Sequence, residues 1–148
     1  MTMTVVVLIL AVSLFILLWI SDRKRQMLIY IAGPLSAPTE EQRLANVYRA
    51  IDAGLAVYRK GHIPFIPHLS HWADRRAEEL GLPMEWEDWM AIDDAWLREC
   101  DALLYLGSSR GADIELQRAM DLGLDIYFTL EAIPVERQAE GEAKRLCG

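Results

Sequence analysis

Three side chains in this sequence combine a reactive type with a telling position. Glu115 lies in "SSRGADIELQRAMDLG", residues 108 to 123, where an apolar run, "ALLYLG", gives way through small residues to a helical pattern. A carboxylate at that point has two uses. It can be a partner for the helix dipole, worth about 0.3–1 kcal/mol, or it can do chemistry at a site that the turn helps to build. Ser108, Ser109 and Gly111 would leave backbone N–H groups at the helix start free to receive an anion. Gly33 and Pro34 read as a second tight turn, in "YIAGPLS", with Ser36 just beyond. Tyr30 precedes that turn. It either packs in the core or turns its phenol to a carboxylate across a crevice. Asp93 shares a helical stripe with Trp86, Trp89, Met90 and Trp96, an apolar face on which a lone carboxylate is costly. Burial there would raise its pKa and equip it as an acid.

His68, His71 and Asp74, in "PHLSHWAD", have a spacing that could hold a metal on one helix face, or could simply shape a pocket wall. No cofactor is expected. The sequence has no phosphate-loop lysine motif, no GxGxxG and no GxSxG elbow, so nucleoside-triphosphate, dinucleotide and serine-hydrolase readings lose support. Cys100 and Cys147 are too few for a disulfide framework or a four-ligand zinc site and suit a reducing compartment. The net charge of −7 argues against a nucleic-acid polymer as partner, because phosphate tracking needs a basic face. Small molecules remain.

The elements that must position these residues follow from periodicity. "MLIYIA" is a short apolar run stopped by Gly33-Pro34, hence a buried strand. From about Thr39 to Lys60, Leu44, Val47, Ile51, Leu55 and Tyr58 recur three and four apart, one stripe of a helix that Gly61 ends. "HIPFIP" is a second strand, "SHWADRRAEELG" a helix, "MEWEDWMAIDDAWLREC" a Trp-rich helix, "DALLYLG" a third strand, "GADIELQRAMDLG" a helix and "LDIYFTL" a fourth strand. The segment from Glu131 reads as a loosely held tail. Alternation of this kind predicts an α/β fold of Rossmann or flavodoxin type, a parallel sheet of about four to five strands covered by helices on both faces. Ligands of such sheets bind beyond the carboxyl ends of the strands where the strand order reverses, which brings "YIAGPLS" and "GSSRGADIE" to one crevice.

At 148 residues with 53% hydrophobic content, one domain with a real core is expected. Part of that content is set apart. Val5 to Ile20 carries no charge, and with Met3 and Thr4 the stretch reaches eighteen residues, the short end of what spans about 30 Å of hydrocarbon. It lacks the basic start and small-residue cleavage site of a signal peptide, so residues 1–26 read as a membrane anchor and basic linker, 27–130 as the α/β domain and 131–148 as the tail. Arg23, Lys24 and Arg25 would keep the domain on the cytoplasmic side. The competing reading makes Met27 the true start of a cytoplasmic protein.

The set "YIAGP", "GHIPFIPHLSHW", "WEDWMAIDDAWLRECDALLYL" and "SSRGADIELQRAMDLG", in this order across residues 27 to 130, resembles the nucleoside 2-deoxyribosyltransferase superfamily. Its small members with a Ser-x-Gly-Ala-x-x-Glu signature are the most similar. The resemblance implies that Glu115 is the nucleophile on the anomeric carbon of a nucleoside or nucleotide, that Tyr30 holds it, and that Asp93 assists at the base or sugar hydroxyls. It also implies a dimer or higher oligomer. Gly33, Pro34, Ser36, His68, Ser109, Arg110 and Gly111 would then line the substrate site. Three departures blur the acceptor. The acidic residue that transferases of the family place six positions before the nucleophile is Ser109 here, as in related deoxynucleoside monophosphate N-glycosidases, where the serine contacts phosphate. The first loop, "GPLS", lacks the arginine those hydrolases place there, a charge that Arg110 could supply. The C-terminal asparagine that the transferases borrow from a neighbouring subunit has no counterpart, since Asn46 is the sole asparagine. The resemblance therefore implies cleavage or transfer at an N-glycosidic bond, with a non-catalytic nucleotide-binding module as the first alternative and a metal-dependent hydrolase as the second.

Overall fold

The computed structural model describes residues 26–136. The apolar run from Val5 to Ile20 and the last twelve residues lie outside these, and so do the expectations attached to them. Among the described residues no helix is long and apolar enough to cross a membrane.

Four strands, β1 (Leu28–Ala32), β2 (Ile63–Phe65), β3 (Ala102–Tyr105) and β4 (Asp125–Tyr127), form one sheet in the order β2-β1-β3-β4, with every pairing parallel. Helices α1 (Glu40–Arg59), α2 (Ser70–Glu79), α3 (Trp86–Leu97) and α4 (Arg110–Asp121) lie between them, with one 3₁₀ turn at Pro67–Leu69. The strand order reverses between β1 and β3, so the predicted crevice falls at the carboxyl ends of those two strands.

The pleat of β1 sorts its side chains to two cores. Ile29 and Ile31 pack with Ala102 and Leu104 under Ala50, Ala53 and Val57 of α1. Tyr30 and Ala32 face the other way, with Leu103, against Leu97 of α3 and Ala119 of α4. Both faces of the sheet are thereby covered, as a parallel sheet requires.

Local signals set the helix ends. Thr39 Oγ1 accepts the Gln42 N–H at 3.2 Å to start α1, and Glu40 and Glu41 complement its dipole. Glu85 and Asp88 form a reciprocal capping box at the start of α3, and Ser109 caps α4 by accepting the Ala112 N–H. Gly61 and Gly123 follow α1 and α4 with φ of 87° and 73°, the left-handed geometry that costs glycine least.

Three expectations are corrected. The buried face of α1 is Val47, Ala50, Ala53, Gly54 and Val57, whereas Leu55 and Tyr58 are exposed. Small residues win the inner face because α1 sits close to β2: a Cβ on Gly54 would stand 2.4 Å from Ile66 Cδ1. The fourth strand is only Asp125–Tyr127, and the chain bends from Phe128. The described start of the tail, residues 131–136, is not loose, for Ile133 is fully buried in the α1 core and Lys60 Nζ donates to its carbonyl at 2.9 Å.

Candidate active site

Tyr30 is the residue of β1 whose phenol rises toward α4, and there its Oη donates to Glu115 Oε1 at 2.7 Å. The two residues are 85 apart in sequence, and the bond is buried. Glu115 is not a cap. Ser109 fills that position, Asp113 is the acidic residue of the first turn, and Glu115 lies two residues further along the helix, 7% exposed. It reaches the inner wall of a cleft of about 560 Å³, which it shares with Asp93, Trp89, Met90, Ser109, Gly111 and His68. Tyr30 lies beneath, with no exposure of its own.

Electrostatics in this floor are unusual. Burial pushes the Glu115 carboxyl up from 4.5 to about 8; the Tyr30 hydrogen bond opposes that shift, and the Asp93 charge adds to it. Burial raises Asp93 from 3.8 to about 6. Tyr30 is driven far above the normal phenol range by burial and then by Glu115, so it stays a donor. Two acidic groups with such values hold one proton between them over the neutral range. The Tyr30 bond occupies Oε1 and leaves Oε2 of Glu115 available.

Asp93 reaches the cleft from α3 beside Trp86, Trp89 and Met90, the stripe the sequence predicts. Trp96 departs from it: the indole is exposed and stacks on Phe65 at 5.1 Å, at the sheet edge. Trp89 is fixed by donating from Nε1 to Asp74 Oδ1 at 2.8 Å. Arg110 lies over the Trp86 ring, its guanidinium carbon 4.2 Å from the centroid, and so stands at the α4 rim of the cleft.

The two turns expected at the crevice differ. At Ser109–Gly111, Ser109 Oγ takes the Ala112 N–H, and Arg110 and Gly111, the first two helical residues, have no intrahelical acceptor for theirs. Gly33 and Pro34 make no hydrogen-bonded turn. Gly33 is needed there for closeness instead, since a Cβ would stand 3.1 Å from Leu106 Cβ. The Pro34 carbonyl accepts from His68 Nε2 at 3.1 Å, which leaves Nδ1 of that ring unprotonated, and burial lowers the pKa of His68. Ser36 lines the cleft.

The metal reading finds no geometry. His68 bonds Pro34, His71 stands 3.3 Å from Glu40, and Asp74 is taken by Trp89. Among the described residues no three such side chains converge on a metal position.

Sequence reasoning missed Arg43, which enters the cleft from the first turns of α1. A signal existed: a cation near a helix N-terminus opposes the dipole and needs some other reason to be there.

The family model that matches is a domain of unknown function, DUF4406, over residues 27–128. The chain belongs to that family. The matched span holds the whole sheet short of its C-terminal packing segment, and every cleft residue named above. No curated protein matches the chain.

Proposed function

We propose that this DUF4406 domain breaks the N-glycosidic bond of a (deoxy)nucleoside or its 5′-monophosphate through a covalent glycosyl ester on Glu115, in the manner of the nucleoside 2-deoxyribosyltransferases it resembles. The observation that carries the reading is the buried Tyr30–Glu115 hydrogen bond at the floor of the cleft. Glu115 Oε2 attacks the anomeric carbon as the carbon–nitrogen bond breaks, and the bonding pair leaves with the base. The proton on Asp93 passes to that base. A water or a second base then attacks the same carbon, the ester bond returns its pair to Glu115, and the proton released by the attacker restores Asp93. Positive charge that builds on the sugar ring is met by the carboxylate before it is captured. Water as acceptor makes a hydrolase and a base makes a transferase.

A non-catalytic nucleotide-binding role is the second reading, favoured by the high Glu115 pKa, since a protonated carboxyl is no nucleophile. Incubation of the full chain with a panel of deoxynucleosides and monophosphates, with and without acceptor bases, separates the two. Base release by wild type and none by Glu115→Ala is expected. Equal release by both removes the nucleophile, and saturable binding without product selects the binding role. The apolar run Val5–Ile20 is proposed to tether this activity to the cytoplasmic face of a membrane. Recovery of the full chain in the detergent-free soluble fraction would overturn the tether alone.

A further inference from the structure

Buried polar atoms in folded proteins nearly always have partners. Among the described residues, three nitrogens that are buried without a hydrogen bond, Arg43 Nε, His68 Nδ1 and His71 Nε2, all belong to side chains lining the one cleft. His68 and His71 are 3% and 4% exposed, so water does not reach them freely. The nearest carboxylate is Glu40. Its Oε2 is 3.8 Å from Arg43 Nε, and its Oε1 is 3.3 Å from His71 Nε2 without hydrogen-bond geometry and 3.1 Å from Arg75 Nη1. One negative charge thus faces two guanidinium groups and an imidazole. Ser36 and Ser70 line the same cleft. Asp74, one helical turn beyond Ser70, spends one carboxylate oxygen on Trp89.

We infer that Arg43 and His71, with the hydroxyls of Ser36 and Ser70, form an oxyanion subsite on the α1–α2 wall that takes a phosphate or carboxylate of the ligand. The inference rests on the nucleoside reading of the cleft and deepens it. Glu115 and Asp93 repel an anion from the floor, so the cleft is polar along its length and orients a ligand with a sugar at one end and a negative group at the other. Arg43 is suited to the task because a guanidinium offers a planar fork of donors to two oxygens at once. The negative group has two possible sources, a 5′-phosphate on the sugar or a carboxylate on the base.

The test is calorimetric titration of the full chain carrying Glu115→Gln, which blocks turnover, with four deoxynucleosides, their 5′-monophosphates, inorganic phosphate and orotate. Monophosphates are expected to bind about tenfold or more tightly than the matching nucleosides, the gain of one charge-assisted contact pair. Adding Arg43→Met should erase that advantage and leave nucleoside affinity in place. Competition by orotate with no monophosphate advantage assigns the subsite to a base carboxylate. Nucleoside binding with no preference for either anion overturns the subsite and spares the functional reading. A phosphate advantage that survives Arg43→Met and vanishes with Arg110→Met moves the anion to the α4 turn and also overturns it. Arg43-dependent binding of inorganic phosphate without any nucleoside binding sustains the subsite and sinks the functional reading.

Discussion

Glu115 is stored in the folded protein in the protonation state its proposed chemistry does not use. Its pKa is about 8 when folded against 4.5 ordinarily, so the native state holds a proton that the unfolded chain gives up between those values. Stability therefore falls as pH rises through that window, because the unfolded state binds fewer protons. Asp93 adds the same sign between 3.8 and about 6. Glu115→Gln keeps the shape and an acceptor for Tyr30 but cannot ionise. The variant is expected to lose most of this slope and to be more stable than wild type at pH 8, on the order of 1–4 kcal/mol, with little difference at pH 4.5. Urea denaturation at the two pH values measures it, and parallel slopes would mean that Glu115 titrates as if exposed. Catalysis needs Glu115 ionised and Asp93 protonated, which only the singly protonated pair provides, so kcat/KM should be bell-shaped with flanks near 6 and 8. Asp93→Asn is expected to cost roughly 10²–10⁴-fold and to abolish the alkaline flank, leaving one rise with pH. An alkaline flank that persists places the acid elsewhere.

At the scale of elements, short apolar runs bounded by glycine and proline made the strands legible, and apolar residues three and four apart made the helices legible, since both signals are local. The Tyr30–Glu115 pairing was legible for a different reason. Topology brings the end of β1 and the start of α4 to one crevice, but it leaves open whether Tyr30 packs in the core or meets a carboxylate, and the family resemblance is what named the pair. The inner face of α1 was not legible, because hydropathy favours Leu55 and Tyr58 while the contact is decided by volume at Gly54. Arg43 escaped for a related cause: whether it and His71 both approach Glu40 depends on how α1 and α2 sit together, which no periodicity encodes. Gly54→Val tests the volume argument. The new side chain collides with Ile66 just before the Pro67–His68 turn that lines the cleft, and overpacking of this kind costs about 1–3 kcal/mol. Thermal or urea unfolding should report that loss, together with a raised KM as the turn is displaced. A neutral result would show that α1 has slack against β2.

Taken as a whole, the molecule divides its labour between the two ends of its parallel strands. The carboxyl ends open on the cleft. At the amino ends, fully buried His62 accepts the Met27 N–H at Nδ1, 3.2 Å away, and bonds the Pro134 carbonyl through Nε2 at 2.7 Å, while the Glu136 N–H donates to the Lys60 carbonyl at 2.7 Å. The entry to β1 and the segment leaving the domain are thus closed by one imidazole in its neutral tautomer, with no ring nitrogen to spare. Substituting His62→Leu fills the volume but strands a half-buried carbonyl and N–H, a loss of about 1–3 kcal/mol by the cost of unmet polar groups. The five residues of β1 separate this closure from the cleft by about 15 Å. Activity per folded molecule should therefore be unchanged below the lowered melting temperature, in contrast to Asp93→Asn, which should lose turnover without losing the fold. Stability and base release measured on both variants decide the matter: a His62→Leu protein that remains fully folded yet fails to turn over would mean that the closure at the amino ends sets the register of β1, and through Tyr30 the position of Glu115.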